Sequence, residues 1–235
     1  MSANDVMTEL KKQGSEQIKK IFYKHGAREP FFGVKVEHLK TLQKKIKRDK
    51  ALSLELYATG NSDAMYLAGL IADPLAMSKT ELDTWAKGAY WYMLSCFTVP
   101  WTASESRYGR ELALKWMKDK SEQIAAAGWA TYGSLVAIKP DDELDMDEIT
   151  GLLDTVEKTI HKSQNRVKAC MNNFVIAVGS YVIPLLPLAK KTAKAMGKPD
   201  VDVGDTSCRI TDASVTMAKV EAMGRIGKKR KTAFC

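Results

Sequence analysis

The chain has 235 residues, of which 45% are hydrophobic and 27% are charged, and its formal net charge is +8. These proportions are ordinary for a soluble globular protein with a substantial core, and the pI of about 9.2 favours a polyanionic partner without proving one. The four cysteines form no CxxC or CxxH pair, which argues against a zinc knuckle and against a dense disulfide scaffold.

Targeting and membrane segments are not expected in this sequence. The opening stretch MSANDVMTELKKQG lacks the apolar run of a signal peptide. The most apolar tract, residues 174–189, contains two prolines and a Gly-Ser pair, so it cannot cross a bilayer as a regular helix. We therefore expect a cytoplasmic protein with reduced thiols and no association with a membrane.

The first 50 residues carry most of the positive charge, with thirteen Lys and Arg against six Asp and Glu. Residues 4–24 have an imperfect apolar face and predict one amphipathic helix. Residues 36–46 predict the next helix, after a loop that contains Pro30 and Gly33. The lysines form either a solvated helix face or a phosphate-binding surface. The second alternative would use Lys35, Lys44, Lys45 and Lys47.

Helical spacing continues along the rest of the chain. It predicts a short helix that carries Tyr90 and Leu94, and longer ones over residues 50–59, 62–73, 78–88, 102–118, 121–138, 149–160, 163–182, 185–196 and 212–223. N-cap signals precede three of them, namely Asn61 or Ser62, the capping box of Ser78 with Glu81, and Asp145. The small residues of AAAGWATYG are expected to let a neighbouring helix approach closely. Gly88 and Val99-Pro100 are predicted to interrupt helices.

No alternating strand pattern longer than a few residues is present. Roughly ten to twelve helices joined by short loops predict an all-α fold, an α-solenoid of antiparallel helix pairs. No repeat is visible as sequence identity, so this prediction depends on helix count and loop length. The expected organisation is a single domain over residues 1–235 that ends in a basic C-terminal tail over about 224–235.

The stretch WAKGAYWYMLSCFTVPWTASE, residues 85–105, concentrates unusual side chains. It holds three of the five tryptophans, two tyrosines, a cysteine and one carboxylate. Aromatic residues at this density have two interpretations: rings buried in the core, or a platform on which nucleic-acid bases stack. The second interpretation would use Tyr90, Tyr92 and Trp101.

Two stretches resemble a known family. EPFFGVKVEHLKTLQKKIK, residues 29–47, is similar to the opening motif of the DNA alkylation repair (AlkD-like) proteins, Phe/Leu-Gly-Val/Ile-Lys/Arg-x-Pro-x-Leu-Arg, with Glu37 where Pro is usual. Residues 90–95 are in register with the Trp-Trp-Asp-x-x-Asp-like segment of that family, and Val99-Pro100 resembles the residues that come after that segment in the family. The resemblance covers roughly residues 20–190.

The resemblance implies a fold of HEAT-like repeats with a concave basic face that cradles duplex DNA. Active members of this family are monofunctional glycosylases that release N3- and N7-alkylated purines, whose positive charge already weakens the glycosidic bond. An aromatic cleft and one aspartate suffice, because the carboxylate stabilises the developing oxocarbenium ion and positions water. The family does this without flipping the base into a pocket, unlike most glycosylases.

The catalytic candidates are Trp91 and Ser95, which the resemblance gives position by position, and Glu105, which lies near them in the sequence. Trp91 corresponds to one cleft tryptophan, whereas the catalytic Asp falls on Ser95, which cannot supply a negative charge. Losing such a carboxylate costs several kcal/mol of transition-state stabilisation. Glu105 is the nearest carboxylate. It either replaces the missing Asp or lies in the first turn of a helix, where the helix dipole favours it.

Further DNA-binding candidates lie in the second half of the chain. Asn172 and Asn173 fall inside an apolar helix and need partners, either neighbouring backbone groups or DNA or another ligand. Arg166 lies near the start of that helix, where the dipole disfavours a cation, so we expect a role such as phosphate contact. The tail with Lys228, Lys229 and Arg230 is a solvated or disordered extension, a localisation-like patch or a phosphate clamp.

The sequence supports three hypotheses for function. The first is a DNA-binding protein of the alkylation-repair type with altered glycosylase chemistry, and the second is a non-catalytic binder of damaged, branched or distorted DNA. The third is a HEAT-like protein-interaction scaffold. The first two require double-stranded DNA, alkylated or distorted, as the partner. We expect a monomer without cofactor or metal, since the three histidines are isolated and no glycine-rich phosphate loop is present.

Overall fold

The structure is a computed structural model that describes residues 1–234. Within this range the chain forms α-helices joined by loops and no β-strand, so the predicted all-α fold is confirmed. The helices are α1 (Ala3–Gln13), α2 (Glu16–Lys24), α3 (Val36–Ile46), α4 (Lys50–Ala58), α5 (Ser62–Ile71), α6 (Lys79–Gly88), α7 (Val99–Glu105), α8 (Gly109–Trp116), α9 (Glu122–Ile138), α10 (Met146–Thr159), α11 (Asn165–Tyr181), α12 (Leu186–Met196) and α13 (Ala213–Ala222). A short π-helix, Leu94–Thr98, runs directly into α7.

Local N-cap signals set the starts of several helices as predicted. The Asn61 side chain accepts backbone N–H groups at the start of α5, and Asp145 does the same for α10. Ser78 and Glu81 form a complete capping box at α6, which ends at Gly88. Each contact satisfies N–H groups that a first helical turn leaves without an intrahelical acceptor.

The single helix predicted over residues 4–24 is wrong, because the helical chain breaks at Gly14 and Ser15. The Ser15 N–H donates to the carbonyl oxygen of Phe32 (3.1 Å), and its hydroxyl accepts the N–H of Ile18 to cap α2. A Cβ on Gly14 would lie 2.7 Å from the Phe32 oxygen. The loop that contains Phe32 therefore packs against the chain at the point where the helix stops.

The helix predicted over residues 102–118 is also wrong. α7 already starts at Val99, and Pro100 lies in its first turn, where the missing backbone N–H is tolerated. The helix ends at Glu105, Ser106 is extended (ψ 168°), and α8 begins at Gly109. Glu105 thus stands at the C-terminal end of its helix and not in the first turn, which removes the dipole explanation for it.

Two clusters of buried hydrophobic side chains fill the interior. The first lies in the N-terminal half and includes Leu56 and Trp85, and the second lies in the C-terminal half and includes Phe174. α9 contributes to both, through Ala127 to the first cluster and through Trp129 to the second. This helix therefore connects the two halves of the core.

α9 packs against α7, α8, α11 and the π-helix. The approach to α8 depends on a small residue, because a Cβ on Gly128 would lie 2.5 Å from the backbone nitrogen of Met117 and 2.8 Å from the carbonyl oxygen of Ala113. A larger side chain there would push α8 away. The close packing expected from AAAGWATYG is thereby confirmed for the contact between α9 and α8.

The basic tail is packed against the helices. The Arg230 N–H donates to the carbonyl oxygen of Ala137 (2.8 Å), and the Ala233 N–H donates to Oε1 of Glu105 (2.7 Å). Ala233 is 1% exposed and belongs to the first core cluster. The interpretation of this segment as a solvated or disordered extension is therefore wrong for the residues up to 234, and Cys235 lies outside the described residues.

No single helix among residues 1–234 is long and apolar enough to cross a membrane. The helical segments Asn165–Tyr181 and Ile183–Met196 reach sufficient length and apolar character only when they are taken together, and the pair is bent by 114°. The bend coincides with a short 3-10 turn at Ile183–Leu185. The two segments pack against each other and against α13.

Candidate nucleic-acid interface

A cleft of about 490 Å³ opens between the π-helix, α7, α9 and α11, and we call it the central cleft. This volume is within the range of sites that hold small ligands. Aromatic and small side chains build most of its wall. The lining residues are Lys40, Tyr66, Met93, Cys96, Phe97, Trp101, Trp129, Ala130, Gly133, Ser134, Ala137, Cys170, Asn173, Phe174, Ile176, Ala177, Tyr181, Arg230 and Ala233.

Four aromatic rings form a continuous row that passes through the central cleft. The ring centroids are 6.1 Å apart between Tyr92 and Phe97, 5.6 Å between Phe97 and Trp101, and 6.5 Å between Trp101 and Phe234. Trp101 is 8% exposed, whereas Phe97 is 37% exposed. An accessible ring held by partly buried neighbours is the arrangement on which nucleic-acid bases stack.

The π-helix produces this row. The Val99 N–H donates to the carbonyl oxygen of Leu94, five residues back, as the π-helical pattern requires. Tyr92 and Phe97 are also five residues apart, so this turn keeps both rings on one face. Phe97 and Trp101 are four apart, the ordinary spacing for neighbours on an α-helix.

Positive charge borders the aromatic row. The guanidinium of Arg166 lies 4.7 Å from the centroid of the Tyr92 ring, and Lys40 and Arg230 line the cleft. None of the described residues that line the cleft is Asp or Glu. Among residues 1–234, no group of three or more His, Cys, Asp or Glu side chains is placed to hold a metal ion. The described wall of the cleft thus offers ring faces and cations, which suit bases and phosphates, but no Asp or Glu side chain.

Arg166 has a structural reason for its place at the start of α11. Its backbone N–H donates to Oε1 of Glu122 (2.7 Å), which ties the start of α11 to the start of α9. Its side chain forms a cation–π contact with Tyr92, which compensates a position that the helix dipole disfavours. Burial raises the pKa of Tyr92, so its hydroxyl stays neutral at neutral pH.

Ser95, which the resemblance aligns with the family's catalytic Asp, is closed off from the cleft. Its side chain is fully buried, and its hydroxyl donates a hydrogen bond to Oε1 of Gln123 (2.6 Å) on α9. Ser95 does not line the central cleft, although its neighbour Cys96 does. The side chain at this position faces the interior of the protein.

Trp91 lies in the first core cluster. It is 4% exposed, its ring packs 5.5 Å from that of Phe22, and its indole N–H has no hydrogen-bond partner among the described residues. It does not line the central cleft, so its predicted catalytic role stays a prediction. The neighbouring Tyr90 donates its hydroxyl to the carbonyl oxygen of Gly60 (3.1 Å), and Arg28 lies over its ring at 5.1 Å.

Glu105 binds the C-terminal tail. One carboxylate oxygen accepts the Ala233 N–H, and the other lies 3.7 Å from a guanidinium nitrogen of Arg48. Glu105 is not among the residues that line the central cleft. The structure therefore does not bring Trp91, Ser95 and Glu105 together at its surface.

The adjacent amides of α11 have different surroundings. Asn172 is fully buried and donates from Nδ2 to the carbonyl oxygen of Thr211 (3.1 Å), which is the backbone alternative expected from the sequence. Asn173 is exposed and lines the central cleft. Only Asn173 of this pair is placed to meet a ligand there.

The predicted phosphate-binding lysines near α3 are all exposed. These are Lys35, Lys44, Lys45 and Lys47, and none of them lines the central cleft, whereas Lys40 on the same helix does. In the tail, Lys228 is exposed, but Lys229 lies 2.8 Å from a carboxylate oxygen of Asp141 and donates to the carbonyl oxygen of Val136 (2.9 Å). The two adjacent tail lysines thus have different surroundings.

Sequence reasoning missed Phe97 and Lys40 as candidate site residues. Phe97 lies in the aromatic stretch, but it is five residues from Tyr92. An α-helix brings together residues three or four apart, whereas a π-helical turn brings together residues five apart. Lys40 was available from the lysine spacing of α3, since it lies four residues before Lys44. No local signal relates Cys96 to Cys170, which also line the cleft.

Comparisons with known proteins give consistent results. The chain is 29% identical over 212 residues to the uncharacterized protein Lin0241 of Listeria innocua, covering 88% of this chain and 91% of the relative. It is 27% identical over 212 residues to the uncharacterized protein Lmo0209 of Listeria monocytogenes, with the same coverage. These relatives match most of the chain but suggest no activity.

A solved structure has the same fold with a TM-score of 0.91 and 42% sequence identity, and the match covers 100% of both chains. That protein is described as a member of a new family related to the HEAT-like repeat DNA glycosylases, with affinity for branched DNA structures. The predicted HEAT-like repeat fold is therefore confirmed, whereas the concave basic face stays a prediction. Residues 6–182 match the family model described as DNA alkylation repair enzyme. The chain belongs to the DNA alkylation repair enzyme family.

Proposed function

We propose that this protein binds branched DNA through the central cleft and does not hydrolyse glycosidic bonds. The observation that carries the proposal is the cleft itself, where an exposed Phe97 stands in a row of rings beside cations and no Asp or Glu among residues 1–234 lines the wall. The affinity of the structural relative for branched DNA supports the choice of ligand. Membership of the alkylation-repair family supports a nucleic-acid partner in general.

Branch points suit this cleft because their bases are only partly stacked. Unstacking a base from a continuous duplex costs a few kcal/mol, and least where the base is already unpaired. Stacking a base on an exposed aromatic ring returns about 1–3 kcal/mol. Stacking on Phe97 therefore gives the largest net gain in binding free energy when the bases of the DNA are already unstacked. Lys40 and Arg166 are placed to contact phosphates.

The absence of a carboxylate in the described cleft wall opposes glycosylase chemistry. Release of an alkylated purine develops positive charge on the sugar, and a carboxylate in the site stabilises it by several kcal/mol. Ser95 stands at the position of that carboxylate and is buried against Gln123. Glu105 accepts a hydrogen bond from the tail. Neither residue supplies negative charge to the cleft.

Binding and catalysis are tested separately. Fluorescence anisotropy should show tighter binding of a four-way junction than of a linear duplex of the same base composition, with log Kd rising steeply with log salt concentration. Incubation with methylated DNA should release no 7-methylguanine or 3-methyladenine above the rate without protein. Equal, weak and salt-independent binding of both DNAs would favour the protein scaffold, and release of either base would contradict the absence of catalysis.

A substitution of Arg166, whose guanidinium lies against the ring of Tyr92, tests its contribution to the salt dependence of DNA binding. Arg166→Gln should lower the salt slope by about one, as expected for the loss of one phosphate contact. Lys158→Gln is the matched control, because Lys158 is an exposed cation on α10 that pairs with Asp154 at 2.7 Å and does not line the cleft. If both substitutions change the slope equally, the contribution of Arg166 is only that of general charge.

A further inference from the structure

Two thiols meet in the wall of the central cleft. Sγ of Cys96, in the π-helix, lies 3.4 Å from Sγ of Cys170 on α11, although the residues are 74 positions apart in the sequence. Both residues line the cleft. Cys170 is 2% exposed, and Cys96 is more accessible. Of the two residues, Cys96 is therefore the more open to the cleft.

The surroundings of the pair distinguish the two sulfurs. A hydrogen bond from the Cys170 thiol lowers the pKa of Cys96 against the opposing effect of burial, and the positive charge of Arg166 acts in the same direction as the hydrogen bond. The pKa of Cys170 is raised, because it is the donor in that hydrogen bond and is buried. A thiolate beside a cation in a partly open site is the arrangement of reactive cysteines.

We propose that Cys96 and Cys170 are a peroxide-sensitive dithiol, which is oxidised to an intramolecular disulfide that joins the π-helix to α11. Forming the bond requires the sulfurs to approach from 3.4 Å to about 2.05 Å, the length of a disulfide. Both cysteines belong to elements that build the cleft, so the modification lies inside the candidate DNA site.

The chemistry balances with hydrogen peroxide as the oxidant. The Cys96 thiolate attacks one peroxide oxygen, the O–O bond breaks, and hydroxide leaves, which gives a sulfenic acid at Cys96. Sγ of Cys170 then attacks Sγ of Cys96, the S–O bond breaks, and the leaving oxygen departs as water with the proton of Cys170. In total, two thiols and one peroxide give one disulfide and two waters, and a dithiol reductant reverses the oxidation.

The competing explanation is that both cysteines only pack in the interior as small apolar side chains. That explanation accounts for a buried thiol such as Cys170. It does not account for a second thiol that is only partly buried, lies within hydrogen-bond distance of the first and lines an open cavity. The arrangement places an accessible attacking sulfur next to a second sulfur that can resolve it.

The test uses the full chain with Cys208→Ser and Cys235→Ser, so that only the pair remains. The reduced protein is exposed to hydrogen peroxide, quenched with N-ethylmaleimide and analysed by mass spectrometry. We expect a loss of two hydrogens, no alkylation, a cross-linked peptide pair containing Cys96 and Cys170, and full reversal by dithiothreitol. Two alkylated thiols after peroxide treatment, or Cys96 oxidised to a sulfinic acid without a cross-link, would overturn the proposal.

Single substitutions identify the roles of the two sulfurs. In Cys170→Ser the sulfenic acid at Cys96 should persist and be trapped by dimedone. In Cys96→Ser the thiol of Cys170 should remain unmodified at the same peroxide concentration. Circular dichroism of both variants establishes that they are folded. Equal peroxide sensitivity of Cys170 with and without Cys96 would contradict the assignment of Cys96 as the attacking thiol.

A further readout rests on the proposed function. A saturating four-way junction that occupies the cleft should slow formation of the disulfide, because it covers the route to Cys96. A disulfide that forms at the same rate with bound junction leaves the dithiol established and rejects the placement of DNA in the cleft. A junction that does not bind at all rejects the proposed function while the oxidation experiment stands alone.

Discussion

The hydroxyl of Ser95 donates a 2.6 Å hydrogen bond to Oε1 of Gln123, which joins the π-helix to α9 beneath the central cleft. Ser95 is fully buried, while the adjacent Cys96 reaches the cleft. The position that carries the family's catalytic Asp by resemblance is therefore used for an interior hydrogen bond. An acidic side chain at residue 95 would enter the protein core instead of the central cleft.

Ser95→Asp should consequently destabilise the protein without creating a glycosylase. An uncompensated buried carboxylate costs about 3–5 kcal/mol, and it would face the oxygen of Gln123 where a donor is now bonded. Denaturant titration should show this loss, and methylated DNA should release no alkylated base. Ser95→Ala is the control, with a loss of about 1 kcal/mol for one hydrogen bond. Base release by a stable Ser95→Asp protein would refute the buried placement.

Phe97→Ala should weaken binding of a four-way junction. Removing one stacking ring costs about 1–3 kcal/mol, or roughly 5-fold to 150-fold in Kd. The affinity for linear duplex should change less, because its bases are already stacked. Val215→Ala is the matched control, since Val215 is 52% exposed on α13 and does not line the cleft. If the two variants bind the junction equally well, Phe97 does not stack with a base.

Local signals in the sequence predicted much of the helical pattern, and distant contacts account for the elements that were missed. Caps such as Asn61 and Ser78 act within one helical turn, so the sequence around them contains the whole interaction. The break at Gly14 depends on Phe32, and the tail depends on Glu105, which lies 128 residues from Ala233. Such contacts have no local sequence pattern.

The sequence likewise predicted some residues of the candidate site and missed others. Aromatic density identified the stretch that contains Trp101, and a cation at an unfavourable helix position identified Arg166. The row of rings requires a π-helix, whose spacing of five matches neither the α-helical nor the strand period, so Phe97 was missed. Burial of Trp91 was the simpler of the two interpretations that the sequence allowed.

Asp63 holds the loop between α2 and α3, and its loss should destabilise the fold. Its buried carboxylate accepts the backbone N–H groups of Phe32 (2.6 Å), Gly33 (3.0 Å) and Val34 (3.1 Å). In Asp63→Asn an NH₂ group would face one of these donors, so the free energy of unfolding should fall by about 1–3 kcal/mol. Chemical denaturation of the native protein and of Asp63→Asn measures this difference in the free energy of unfolding.

The control for Asp63 is Asp154→Asn, an exposed position on α10, where a change within about 0.5 kcal/mol is expected. An Asp63→Asn protein as stable as this control would mean that the three N–H bonds do not stabilise the loop.

Glu29 should remain ionised until the pH falls to about 2. The ammonium of Lys19, the hydroxyl of Tyr23 and the N–H of Phe31 lower its pKa from 4.5 to about 2. Because the folded-state pKa is lowered, Glu29 stabilises the fold fully above pH 4.5, and this contribution is lost as the pH falls through about 2. A ¹³C NMR titration of the side-chain carboxyl carbon should give a midpoint near 2. Lys19→Met should raise that midpoint, and an ordinary midpoint in the native protein would exclude the contacts.

Lys228 and Lys229 offer a matched pair of adjacent lysines with different expected effects. Lys228 is exposed, so Lys228→Met should leave stability unchanged and lower the salt slope of junction binding by about one if the tail binds phosphate. Lys229 bonds the Val136 carbonyl oxygen and pairs with Asp141, so Lys229→Met should lower the free energy of unfolding by about 1 kcal/mol. Its effect on the salt slope should be smaller, because its charge is already paired.

Denaturant titrations and binding curves at several salt concentrations separate the effects of the two tail lysines. The expected result is that Lys228→Met changes only binding and Lys229→Met changes mainly stability. Equal effects of both substitutions on the salt slope, with no loss of stability in Lys229→Met, would mean that the tail leaves the helices when DNA binds. The hydrogen bond from Ala233 to Glu105 would then have to break as well, and Glu105→Gln should strengthen DNA binding by weakening that contact.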